Sequence, residues 1–303
     1  MKEIPLGPVP KDGSAEQGTE ARPPGWTAQD DYQMLSMAFT MKSEDERFSE
    51  SLRWHLGPFH LDAPAPAGLP GEFLTQDETG EPAYILRFAT QERFRVAMLA
   101  EAIHRAVWEL HRAVHDQVRD FVLLHAGAVA RDQRALLLPA ETSSGKSSLT
   151  LGLLESGFSY LSDDLGALDP VTQRVYPFPK RIKLIPDALE FFPGLEERLG
   201  DRDLPFRQFE RFVRPEDVGA SVAEPAGVRW IVFPTSEFEG PPTLEPMTKA
   251  ESMKELAANC LNLYRFGEAG VVFLSRIAKD ADAFRLRGGS LRERIALLSE
   301  RLS

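Results

Sequence analysis

Residues 136–150, LLLPAETSSGKSSLT, decide how this chain is read. An apolar run ends, a short polar turn follows, and a lysine opens a segment with leucines at helical spacing. The turn, Ala140-Glu141-Thr142-Ser143-Ser144-Gly145-Lys146-Ser147, fits the phosphate-binding pattern G-x-x-x-x-G-K-[ST], except that Ala140 replaces the first glycine. Such a loop needs an apolar strand before it, inward-facing backbone N–H groups, and a helix starting at the lysine. ALLLP, AETSSG and KSSLTLGLLESG supply the three parts, and Gly157 closes the helix. Gly145 stands where the backbone must approach a phosphate; Ala140 is the smallest substitute for the other glycine and fits provided that its position requires no positive φ. On this reading Lys146 bridges the β- and γ-phosphates, the Ser147 hydroxyl ligates Mg²⁺, and Ser148 completes the loop. The competing reading is a polar turn ahead of a buried helix.

The next apolar run, FSYLSDD, ends in Asp163 and Asp164. A strand directly after the loop's helix is expected beside the loop's own strand in a parallel sheet, which sets both carboxylates next to the phosphates. One carboxylate can then hold the metal while the other accepts a proton from an incoming hydroxyl. Upstream, VLLHAGAV carries His125 toward the same edge, although a single histidine in an apolar strand is by itself a core residue.

The chain has 303 residues, 43% of them hydrophobic and 27% charged, enough for one large domain or two ordinary ones. Its 35 basic and 46 acidic side chains give a net charge of -11, which argues against a bulk preference for nucleic acid or anionic lipid. The single cysteine, Cys260, excludes an intramolecular disulfide and a cysteine-built zinc site; core packing in a reducing compartment suits it. The N-terminus lacks the apolar core of a secretory signal, and no apolar run is long enough to span a bilayer, so the cytoplasm is the expected location.

Residues 1–25 read as a flexible Pro- and Gly-rich tail, 26–117 as a smaller α+β domain suited to recruiting substrate, and 118–303 as the phosphate-handling domain. AYILRF reads as a strand. QERFRVAMLAEAIHRAVWELHRAVHDQVRD is the strongest helical pattern, with Phe94, Met98, Ile103, Val107, Leu110 and Val114 recurring. FVLLHAGAVARD and QRALLLPA form a hairpin pattern around residues 131–133.

HAGAVARDQRALLLPAETSSGKSSLTLGLLESGFSYLSDD resembles the catalytic core of HPr kinase/phosphorylase and its kinase-like relatives, and more distantly that of ATP-dependent phosphoenolpyruvate carboxykinase. YPFPKRIKLIP, LAANCLNLYRFG and AFRLRGG resemble later segments of the same family, so the likeness runs from about His115 to the end. It implies an α/β P-loop kinase domain that uses ATP and Mg²⁺ and self-associates. It also implies phosphate and metal roles for Lys146 and Ser147, with Asp163 as the base, Asp164 toward Mg²⁺ (or the reverse), and His125 orienting the base. Three departures weigh against the reverse phosphorylase reaction and against HPr as acceptor. Ser148 stands where HPr kinases place Glu, the first loop glycine is absent, and no signature segment is found between Asp169 and Gly227. Relatives that phosphorylate a serine of a precursor peptide fit better.

Lys180, Arg181 and Lys183 form a basic cluster that either meets phosphate or an acidic substrate or lies on a solvated strand face. Arg285 and Arg287 alternate as on a strand and could meet nucleotide or a neighbouring acid. FRQFERFVRP reads as an amphipathic helix with Arg207, Arg211 and Arg214 on its wet side. His104, His111 and His115 share a helical face, but no carboxylate is placed to complete a metal site with them. The functional readings are an ATP- and Mg²⁺-dependent kinase of a protein or peptide serine, a kinase of a small hydroxylated metabolite, and a non-catalytic nucleotide-binding module.

Overall fold

The computed structural model describes residues 25–64, 68–76, 81–88, 93–140, 144–201 and 210–302. The tail expected over residues 1–25 falls, but for Gly25, outside them.

Period-two alternation builds the first sheet. Tyr32 and Met34 of β1 (Ala28–Met34) and Phe39 and Met41 of β2 (Met37–Ser43) point to one buried side. The remaining strands are β3 (His60–Leu61), β4 (Leu69–Gln76), β5 (Pro82–Phe88) and β6 (Arg93–Val96), in the order β3-β1-β2-β4-β5-β6. Only β2 and β4 pair in parallel. The link between them carries α1 (Glu46–Leu56), capped where the Arg47 N–H donates to the Asp45 carboxylate.

The long helix α2 (Leu99–Gln117) starts later than its periodicity suggests. Residues 93–96 instead pair with β5 as an edge strand, and the Arg105 guanidinium covers Phe94 at 4.1 Å. Available ladder groups on β5 outweigh helical propensity there. Gln91 and Glu92 lie outside the described residues.

The second sheet starts from the expected hairpin of β7 (Val122–Arg131) and β8 (Arg134–Pro139). Its turn places Asp132 and Gln133 at φ 51 and 60, the left-handed pair whose twist matches two-residue hairpins. There follow α3 (Lys146–Glu155), β9 (Ser159–Ser162), β10 (Leu165–Leu168) and β11 (Arg174–Tyr176). A two-stranded ribbon of β12 (Ile182–Leu184) and β13 (Arg211–Val213) flanks α4 (Leu195–Leu199). The chain closes with β14 (Ala226–Pro234), β15 (Thr243–Pro246), α5 (Lys249–Ala258), α6 (Leu263–Asp280), β16 (Asp282–Arg287) and α7 (Leu291–Arg301). The order β11-β10-β7-β8-β14-β16-β15 mixes parallel and antiparallel pairs, so the described chain is a mixed α/β structure.

The pleat of β7 sorts the surroundings. Val122, Leu124, Ala126, Ala128 and Ala130 face the side of α5 and α6, while Val129 joins the cluster containing Leu149, Leu151, Leu153 and Leu154 of α3. His125 and Gly127 therefore share the α3 side by register. The core beneath the first sheet, from Tyr32 to Val118, continues into Leu123, Leu165, Ala167 and Phe178, so α2 covers that same side of the second sheet.

Two expectations need correction. β9 does not lie beside β8, whose parallel neighbour is β14; it pairs antiparallel with β7. The strand itself ends at Ser162, directly before the two aspartates, as expected. After a register shift between Ala128 and Val129, the chain continues along β7 through Asp163 and Asp164 into β10, where Leu165 pairs with His125. Hairpin closure of β7 onto β8 leaves that edge of β7 open for the returning chain. Because β9 and β8 both run antiparallel to β7, the aspartates still arrive level with the end of β8. The amphipathic helix expected over residues 206–215 is also corrected where the chain is described: Arg211–Val213 is strand β13 and Arg211 is buried against the Glu196 carboxylate and Gly200 O, while residues 206–209, Arg207 among them, lie outside the described residues. Pairing with β12 decides its conformation.

Gly127 sets how closely α3 approaches the sheet: a Cβ there would stand 2.6 Å from Thr150 Oγ1 and 3.4 Å from Lys146 Cγ. Gly127→Ala should push α3 outward and cost about 1–3 kcal/mol, measured by urea unfolding. Unchanged stability would show that α3 tolerates the shift.

Candidate phosphate-handling site

The loop begins at Ala140, which is buried and does not take a positive φ, so the condition for alanine to replace glycine is met. Glu141, Thr142 and Ser143 lie outside the described residues. Gly145 has φ 82, and among the described residues a Cβ there would meet only Phe238 Cζ at 3.9 Å; the torsion demands glycine. Directly after it Lys146 and Ser147 open α3. The Ser144 Oγ is buried with no hydrogen-bond partner, next to those first N–H groups.

Six side chains converge at the start of α3. Lys146 Nζ lies 2.8 Å from His125 Nε2 and 3.5 Å from the Ala140 carbonyl. His125 Nδ1 is 3.2 Å from Asp164 Oδ1, and Lys180 Nζ is 2.9 Å from Asp164 Oδ2. An ammonium can only donate, so Nε2 of His125 accepts, and the ring proton belongs on Nδ1, facing Asp164. On the other side the Ser147 hydroxyl donates to Asp163 Oδ2 at 2.9 Å. The amides of Asp164 and Leu165 donate to Ser162 Oγ, which shapes the turn carrying both acids.

The adjacent carboxylates differ in kind. Asp163 is 3% exposed, and its Oδ1 is buried without a partner. Burial, reinforced by the charge of Asp164, pushes its carboxyl up to about 6. Asp164 is half-exposed; burial alone would raise it, but the Lys180 ammonium and the His125 and Lys180 hydrogen bonds hold it well below the usual carboxylate range. Burial likewise lowers the Lys146 ammonium, against the two nearby acids.

Of the other basic residues singled out, only Lys180 reaches this cluster. The Arg181 guanidinium stacks on the Trp54 ring at 3.9 Å and donates to the Trp54 carbonyl, tying the ribbon to α1. Lys183 pairs with Glu210 at 2.9 Å. Arg285 pairs with Glu255 at 3.3 Å and lines a cleft with Ala140 and Ser144, whereas Arg287 is held by Glu237 and Glu245. His111 and His115 of α2 lie close enough to feel the charges of Asp164 and Lys180. Helical periodicity marks their face but not what it meets. Cys260 is half-buried against the α5–α6 core, as expected.

The donor set fits a phosphate chain with a hard cation. Orphaned buried oxygens on Asp163 and Ser144, an ammonium at the start of α3 and the helix's free N–H groups suit those two partners. Among the described residues no group of three or more His, Cys, Asp or Glu could hold a metal by itself. One carboxylate plus a serine hydroxyl is what Mg²⁺ uses when phosphate oxygens supply other positions.

The Asp163 carboxyl, raised from 3.8 to about 6, makes the folded state bind more protons than the unfolded one between those values. Stability should therefore fall as pH rises through that window. Asp163→Asn should raise Tm at pH 7.5 by roughly 2–8 °C, from about 1–3 kcal/mol, with the gain shrinking toward pH 4. Thermal unfolding at several pH values checks this, and a pH-independent difference would refute it.

A scan of the chain against protein-family models gives no match, and comparison with curated proteins finds no significant relative.

Proposed function

We propose that the chain is a phosphotransferase: an α/β P-loop kinase that moves the γ-phosphoryl group of ATP to a hydroxyl, with a serine of a protein or peptide as the acceptor. The observation that carries this reading is the pairing of Ser147 with Asp163 on one side of Lys146, and of His125 with Asp164 on the other. A serine at the helix start bonded to an aspartate just past a strand end is the arrangement by which P-loop enzymes hold Mg²⁺. A second acid, half-exposed and oriented by a histidine, has no use in a module that only binds nucleotide. The residues from 26 to 117 then act as a domain on the acceptor side.

Geometry exchanges the roles the family resemblance suggests for the two aspartates. Asp163 and Ser147 would hold Mg²⁺, which supplies charge neutralisation across the phosphate oxygens. Asp163 ionises to do so, consistent with a carboxyl that is poised near pH 6 and lacks a partner on Oδ1. Lys146 turns from His125 to the phosphates. Asp164 receives the proton of the acceptor hydroxyl as its oxygen bonds to phosphorus and the bond to the nucleoside diphosphate breaks; the proton then leaves to solvent. His125 Nδ1 keeps one oxygen of Asp164 oriented. When Lys146 and Lys180 are drawn toward phosphate, Asp164 loses cationic partners and becomes more basic at the moment of transfer.

Lys146→Ala should lose most Mg²⁺–ATP affinity in calorimetry, and unchanged binding would sink the proposal. Asp164→Asn should bind Mg²⁺–ATP nearly as the wild type does while turnover drops about 10²–10⁴-fold. Asp163→Asn should instead raise the Mg²⁺ concentration required and abolish the loss of Mg²⁺–ATP affinity expected of the wild type below about pH 6. The opposite pattern between the two variants would restore Asp163 as the base.

A further inference from the structure

Between α1, α2 and the β12–β13 ribbon lies a cavity of about 140 Å³. Ile103, Val107, Trp108 and His111 of α2, Phe212 of β13, and Lys180 contribute its walls. Its volume is close to that of the roughly 150 Å³ apolar cavities known to admit a benzene ring. Trp108 is 48% exposed, an unusual amount for so large an apolar ring.

The charges around this cavity are already spent. Lys180 is held by Asp164 and Lys183 by Glu210, each at 2.9 Å. Burial keeps His111 and His55 neutral, helped by the neighbouring Lys180 and Arg181 respectively. His111 Nε2 is buried without a hydrogen-bond partner. Such walls favour an uncharged occupant, and an acidic or basic group would have to displace an existing ion pair to enter.

Lys180 sets the distance to the chemistry. It walls the cavity, and its ammonium touches the carboxylate assigned to the acceptor hydroxyl, so the two places are at most one lysine side chain apart. In an extended peptide, side chains at i and i±2 lie on one face about 7 Å apart, a matching span. We propose that the cavity receives an aromatic or branched apolar side chain two positions from the phosphorylated serine, making the enzyme specific for a peptide acceptor with that spacing. The assignment rests on the kinase reading for the serine; occupancy by an apolar ring does not.

Two measurements on the full chain separate these parts. In saturation-transfer NMR, p-cresol should bind the wild type and lose its signal in Val107→Trp, which fills the cavity. Mg²⁺–ATP affinity should stay unchanged in that variant. With labelled ATP and capped serine peptides carrying Phe, Leu, Ala or Asp at positions −2 and +2, wild type should prefer Phe or Leu over Ala by at least tenfold in kcat/KM. Val107→Trp should reduce that preference to below threefold through KM, with kcat retained. Trp108→Ala, at the half-exposed rim, should weaken it without unfolding risk. Equal p-cresol signals from wild type and Val107→Trp, or serine peptides labelled with no side-chain preference, would overturn the cavity assignment and leave phosphoryl transfer standing. Labelling of no serine peptide, by a chain that binds p-cresol and Mg²⁺–ATP, would overturn the acceptor assignment together with the kinase reading.

Discussion

The close approach of α3 to β7 at Gly127 is the constraint on which the candidate site depends. Without a side chain at that position, Thr150 and the Lys146 stem rest against the strand, and the lysine can reach His125 on the same pleat face. The absence of a side chain also brings Ser147 within hydrogen-bond distance of the chain returning along the far edge of β7, where Asp163 waits. A packing requirement in the sheet thus becomes an electrostatic arrangement. A few ångströms of separation would dissolve it, since ion–dipole and ion-pair contacts fall off over that distance.

The two aspartates show how burial divides adjacent identical residues. Asp163 faces the start of α3 and is desolvated with one oxygen unpaired, so its proton is held more tightly; Asp164, one residue on, faces two ammonium groups and a histidine and stays ionised. Pairs of acids whose environments separate their proton affinities are a recurrent mark of acid–base sites. Here the difference follows from one peptide step between a buried and a half-exposed position.

The described part of the first hundred residues is structurally bound to the second sheet. The Tyr32–Val118 core continues into Leu165 and Phe178, and Arg181 fastens the ribbon to Trp54 by stacking and a hydrogen bond. These contacts bring α2 beside Lys180 and Asp164. The region read in sequence as a recruiting domain thus shares with Lys180 the walls of one cavity. No helix among the described residues is long and apolar enough to cross a membrane.

Much of this was legible in residue order because it is local. The β7–β8 hairpin, the helix opening at Lys146, the glycine demanded at 145 and the strand leading into Asp163 all follow from periodicity and turn chemistry within a few residues. Pairings distant in sequence were decided only by the tertiary structure. β9 returned to β7 rather than to β8 and Arg211 was drawn into a ribbon with β12; even the nearby Arg93–Val96 became an edge strand, because available ladder partners outweighed local preference. The division of labour within the basic cluster is of the same kind. Lys180, Arg181 and Lys183 are near neighbours in sequence, yet strand alternation and the surrounding acids send them to Asp164, Trp54 and Glu210. Residue types near one another in sequence identify the chemistry available; which of them meet is set by burial and by partners that lie 16, 27 and 127 residues away.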